Sequence, residues 1–138
     1  NLKLPVDHLV ASDCAAGLPC QIRSEIPKDQ MALDIGPRTI EDLRKEISRA
    51  NTIIWNGPLG VFEIDDYAAG TMEIAQAVAQ SQAFSVVGGG ESIAAVKKAG
   101  VADQISHLST GGGATLELLA GRKLPGVEIL TEIGGRGA

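Results

Sequence analysis

Residues 88–90 and 111–113 are both Gly-Gly-Gly, 23 residues apart, and each follows a short apolar run and precedes an amphipathic stretch. Such a turn suits phosphate chemistry. Glycine lets the backbone approach a ligand, amide N–H groups point outward, and the dipole of the following helix adds partial positive charge. One triplet alone is more simply a tight strand ending. Two triplets, with Asn56-Gly57-Pro58 closing a third apolar run, favour a phosphate site. Glu91 directly follows the first triplet. Its carboxylate is either a favourable charge at a helix N-terminus or a ligand for Mg2+, which takes one or two carboxylates and leaves its other positions to phosphates and water. Glu63, after Gly60-Val61-Phe62, is either a solvated charge or an acceptor for ribose hydroxyls.

Other chemistries lack their residues. No G-x-x-x-x-G-K-[ST] loop occurs and no G-x-G-x-x-G follows a strand pattern, so P-loop and NAD-type readings lose support. No cluster has zinc spacing, and no Ser/His/Asp or Cys/His arrangement supplies a nucleophile. His8 and His107 stand apart in apolar surroundings and are expected to be structural. Cys14 and Cys20 are expected to be free thiols, because an aliphatic chain with no basic-then-apolar leader reads as cytoplasmic.

The elements that position these residues repeat one grammar of apolar run, glycine turn and amphipathic helix. MALDI (31–35) leads through Gly36-Pro37 to a helix with Ile40, Leu43 and Ile47 on one face. Thr39 and Asp42 have the spacing of a capping box, and Pro37 suits a first helical turn. TIIW (52–55) meets Asn56-Gly57-Pro58, with a helix following over Met72, Ala75, Val78 and Ala79. Residues 84–87 and 105–109 precede the two triplets. Lys97, Lys98 and Gly100 give the helix after the first triplet a sound C-terminus. Residues 6–13 and 20–26 read as a hairpin, and the stretch from Pro125 onward looks loose. The expected fold is therefore α/β, a single domain with a parallel sheet of about four strands, flanking helices and an N-terminal β-hairpin.

Composition agrees. Only four aromatic residues (Trp55, Phe62, Tyr67 and Phe84) occur against 44% apolar content, so the core must be aliphatic, as in buried parallel strands. Twelve Lys and Arg against 17 Asp and Glu give a net charge of −5 with no basic cluster, which argues against nucleic acid. The longest uncharged run, residues 74–90, holds glutamines and serines and ends in glycines, so no bilayer span is expected. The chain opens on Asn1 and its first methionine is Met31, from which a fragment or processed piece is expected.

IIWNGPLGVFE (53–63), VVGGGESIAAVKKAG (86–100) and STGGGATLELLAG (109–121) resemble three signature stretches of phosphoglycerate kinase, and MALDIGP (31–37) and LPGVEIL (124–130) fit the same family in order. A typical member is nearly three times longer, and the chain resembles its C-terminal third, the latter part of the nucleotide-binding domain. The resemblance implies phosphoryl transfer between 1,3-bisphosphoglycerate and Mg-ADP, giving 3-phosphoglycerate and Mg-ATP. Carried onto matching positions, Asn56 and Pro58 would line the nucleotide site and Glu63 would bind ribose. Gly89, Gly90, Glu91 and Ser92 would hold the phosphates of ADP or ATP, with Glu91 on Mg2+, and backbone amides at Gly89 and Gly112 would face the transferring group. Where the family commonly has Asp-Thr after the triplet, this chain has Glu91-Ser92, and the added methylene moves the carboxylate by about 1.5 Å, leaving direct and water-bridged coordination both open. The phosphoglycerate substrates would need an N-terminal domain that this sequence does not contain, so the chain alone is expected to be inactive. Residues 128–138 are expected to form a flexible tail. The alternative reading is a non-catalytic nucleotide-binding or assembly module that needs a complementary fragment; self-association is a further expectation.

Overall fold

The structure, a computed structural model, describes residues 2–134. Two three-stranded sheets organise it. In the first, β1 (His8–Ala11) lies between β2 (Gln21–Arg23) and β3 (Met31–Ile35), antiparallel to both. β1 and β2 are the expected hairpin. Met31–Ile35, expected in the parallel sheet, instead pairs with β1, placing His8 opposite Ile35. A five-residue apolar run carries no mark of its partner's direction; here Gly36 N–H donates to Asp7 O at 2.8 Å and extends the antiparallel ladder.

The second sheet is parallel, in the order β4 (Thr52–Asn56), β5 (Phe84–Gly88), β6 (His107–Ser109), three strands rather than about four. Crossover helices α2 (Ala69–Gln80) and α3 (Gly90–Lys98) join its strands, and α1 (Pro37–Arg49) precedes β4. Trp55 and Val87 of the sheet pack with Ile74, Ala75, Val78 and Val96 of the helices and with Ile35 of β3, one aliphatic core joining both sheets. Because strand side chains alternate, Ile54 and Phe84 face the other way, and there they are 42% and 57% exposed. His107 is exposed too, at the sheet's edge rather than in apolar surroundings.

Helix α1 begins at Pro37 as expected, but Thr39 is its third residue and forms no capping box with Asp42. Thr39 is buried against Asp7 instead. At the other end of the molecule's grammar, α3 closes as the sequence indicates: Gly100 N–H donates to Lys97 O at 3.0 Å and Val101 N–H to Val96 O at 3.1 Å. After α4 (Gly112–Leu119), the stretch expected to be loose forms α5 (Pro125–Gly134). Its Val127 and Glu128 N–H groups both donate to Leu124 O, and Pro125 takes the first helical position, where its missing N–H costs nothing. The rest of the expected tail, residues 135–138, lies outside the described residues. Cys14 and Cys20 are free thiols. Among the described residues, no helix is long and apolar enough to cross a membrane.

Candidate functional site

Parallel register sets Asn56, Gly88 and Ser109 side by side at the carboxyl ends of β4, β5 and β6. Beyond that row the chain turns into α3 and α4, whose N-termini lie together. Gly89 makes this possible with φ +91°, and Gly112 packs so closely that a Cβ there would stand 2.7 Å from Gly89 Cα. Asn56 locks the pair, its amide Nδ2 donating to Gly112 O at 3.1 Å. Ser109 O accepts from Gly89 N–H at 3.0 Å.

That last bond matters for the expected assignments. The Gly89 N–H faces Ser109 rather than the open edge, so the free amides begin at Gly90, Glu91 and Ser92, the first turn of α3. In α4 the corresponding groups are Gly112, Gly113 and Ala114. First-turn N–H groups have no acceptor within their own helix. Two helix dipoles thus converge on one edge, and Glu91 stands exposed in the first turn of α3. Ser92, read as a phosphate hydroxyl, is 1% exposed and accepts from Gly57 N–H at 2.7 Å. It joins the Asn56-Gly57-Pro58 turn to α3.

The neighbouring loop is turned inward. Leu59 and Gly60 donate to Thr71 Oγ1 at 3.1 and 3.2 Å, Val61 to Leu33 O at 2.8 Å and Phe62 to Gly60 O at 2.9 Å. Pro58 has no N–H. Residues 57–62 therefore offer a ligand only carbonyls and side chains, a surface unsuited to phosphate but suited to a nucleoside. Pro58, Leu59, Gly60 and Val61 also border an open cleft of about 250 Å3 against Leu33 and Asp34. A larger cavity of about 470 Å3 lies away from this edge, between residues 3–6 and α1, touching the loop only at Leu59. Glu63 is exposed in the turn that follows and makes no described contact with the triplets.

Several positioning groups carried no sequence signal. Trp55 Nε1 donates to Gly57 O at 2.6 Å. Asp34, 3% exposed, accepts from Gly70 N–H at 2.6 Å and Ile35 N–H at 2.8 Å, capping α2 from β3. Burial pushes its carboxyl above the usual range, partly offset by those two bonds. Gly57 and Ile35 lie only two and one positions from Trp55 and Asp34, but the Gly70 bond spans 36 residues, and by type alone Trp55 and Asp34 look like ordinary core and surface residues.

The phosphoglycerate kinase family model matches residues 1–122. The chain belongs to the phosphoglycerate kinase family. It is 58% identical over 133 residues to the phosphoglycerate kinase of Acidobacterium capsulatum, covering 94% of this chain and 33% of that protein. With the Koribacter versatilis phosphoglycerate kinase the identity is 60% over 133 residues, covering 93% and 33%. The solved phosphoglycerate kinase of Coxiella burnetii superposes with a TM-score of 0.86 at 43% identity, covering 93% of this chain and 34% of that one. The chain spans about a third of the length of the relatives it matches. The family fold accounts for both the parallel sheet with its helices and the antiparallel sheet beside it.

Proposed function

We propose that this chain supplies the nucleotide-phosphate edge of an enzyme that moves a phosphoryl group between 1,3-bisphosphoglycerate and Mg-ADP, giving 3-phosphoglycerate and Mg-ATP. The observation that carries the reading is the pairing of two helix N-termini by the Gly89–Gly112 contact, with their first-turn amides open at the carboxyl edge of a parallel sheet. Phosphoryl transfer asks for positioning and charge neutralisation rather than a protein nucleophile, and this edge is built for both.

In this reading the amides of residues 90–92 and 112–114 hold phosphate oxygens, while Asn56 and Pro58 border the nucleoside and Glu63 accepts from ribose hydroxyls. Among the described residues, no group of three or more His, Cys, Asp or Glu could hold a metal ion. A lone exposed carboxylate fits Mg2+ that arrives on nucleotide phosphates, since that ion needs only one or two protein ligands. Glu91 is the residue for it, and Mg2+ would neutralise charge on the transferring phosphates. A cytoplasmic setting goes with this function. The exposed Ile54 and Phe84 face favours a chain that turns over only when that face is covered.

Calorimetric titration with Mg-ADP tests the proposal, beside Glu91→Ala and Glu63→Ala. Saturable binding weakened by both substitutions supports it; no heat from a chain that circular dichroism shows folded removes nucleotide binding from these residues. A coupled assay with 3-phosphoglycerate and ATP is expected to show no turnover by the chain alone, and substantial turnover would overturn that part.

A further inference from the structure

Helix α3 ends on two lysines that do different things. Lys98 Nζ donates to Phe62 O at 2.7 Å and to Asp65 Oδ1 at 2.7 Å. Lys97, next to it and exposed, makes neither contact. The two acceptors of Lys98 bracket Glu63. Phe62 is 6% exposed in a cluster with Ala68 and Ala95, so its carbonyl is a fixed anchor. Asp65 begins the 3-10 turn Asp65–Tyr67, and Ile64 N–H donates to Val61 O at 3.0 Å. Between them Glu63 projects to solvent from a short turn held at both shoulders by one ammonium group.

The same helix carries the open amides at its other end. Its nine residues span about 14 Å at the usual rise, and a helix of that length transmits position with little bending. We propose that Lys98 is a positioning residue: it fixes the Glu63 turn relative to the N-terminus of α3, and so sets the distance between the nucleoside and phosphate ends of a bound nucleoside diphosphate. This rests on the nucleotide reading above. Lys98 itself touches no ligand in it. The charge-assisted bond to the buried Phe62 carbonyl is the strong one, while the Asp65 carboxylate is 90% exposed and its pair with Lys98 mainly fixes direction; an exposed lysine without either leaves its side chain free to rotate.

The test compares Lys98→Met, Lys98→Arg and Lys97→Met in this chain, with ADP and with inorganic pyrophosphate, which can engage only the phosphate edge. Lys98→Met is expected to weaken ADP by about tenfold and to leave pyrophosphate unchanged; Lys98→Arg restores most of the loss. Lys97→Met removes the same charge from the same helix end and should change neither. In a Glu63→Ala background Lys98→Met should add nothing further, because the two act on one contact. Amide exchange without ligand gives an independent reading: the Ile64 and Tyr67 amides should exchange about tenfold faster in Lys98→Met and not in Lys97→Met. Equal ADP affinity in the two Met variants, or unchanged exchange, overturns the role of Lys98 while leaving the nucleotide reading intact. Failure of the unsubstituted chain to bind either ligand overturns both.

Discussion

Asp7 caps α1 from outside it: its Oδ1 accepts from Thr39 N–H at 2.8 Å and from Thr39 Oγ1 at 2.6 Å. Oδ2 takes Arg38 N–H at 3.0 Å, so two orphan amides of the first turn are satisfied by a residue 31 and 32 positions away. Burial pushes the Asp7 carboxyl up, but the bonds from Thr39 and Arg38 and the Arg38 charge together outweigh it and hold it below the usual 3.8. A depressed carboxyl stabilises the fold above its unfolded value, and that contribution is lost as pH falls through the folded one. Asp7→Ala is expected to cost about 2 kcal/mol at pH 7. Chemical denaturation from pH 7 to pH 2 should show the cost shrinking below about pH 4.

Asp34 has the opposite sign. Desolvation raises its carboxyl, and the Gly70 and Ile35 amides only partly offset that. Its contribution is therefore fully present below the unfolded value and is lost as pH rises through the raised folded one. Asp34→Asn is expected to cost most in acid and less at neutral pH, the reverse of Asp7→Ala. Parallel pH trends in the two variants would contradict the opposite directions in which their surroundings shift the two buried carboxyls.

These two carboxylates mark where the sequence stops being readable. The glycine turns, the Pro37 start and the Gly100 ending are local, because backbone conformation and capping act within four residues, and the structure has all of them. The juxtaposition of Asn56, Gly89, Gly90, Glu91, Ser92 and Gly112 follows from parallel register once the strands are found. What the sequence hides is long-range. Thr39 looks like half of a local box because nothing nearby betrays Asp7, and Met31–Ile35 looks like a parallel strand because its pattern is the same in either sheet. By local pattern the Gly89 amide faces a ligand, and only the pairing of β5 with β6 shows that Ser109 O takes it.

Gly112 and Gly113 are adjacent in α4 and should respond oppositely to alanine. A Cβ at Gly112 meets the backbone of Gly89, at 2.7 Å from Cα and 2.8 Å from N, where nothing flexible can give way. A Cβ at Gly113 has nothing within 4 Å. Gly112→Ala is expected to destabilise by about 1–3 kcal/mol and to weaken pyrophosphate binding by parting the two helix starts. Gly113→Ala should be neutral or stabilising by up to about 1 kcal/mol. Thermal unfolding of the two variants side by side decides it.

Ile54 and Phe84 lie on the sheet face that α1, α2 and α3 leave open, 42% and 57% exposed. Val86 and Ile54 are register partners on that face, so the apolar surface is continuous across β4 and β5. Both outer edges of the three-stranded sheet also lack a strand partner among the described residues. Apolar surface of this kind beside unpaired strand edges drives association. Sedimentation velocity is expected to show concentration-dependent self-association of the chain, and Phe84→Lys should shift it toward monomer with little change in unfolding midpoint, since the side chain is already more than half exposed. A wild-type chain that sediments as a monomer across the concentration range, or association indifferent to Phe84→Lys and Ile54→Lys together, would place the contact elsewhere.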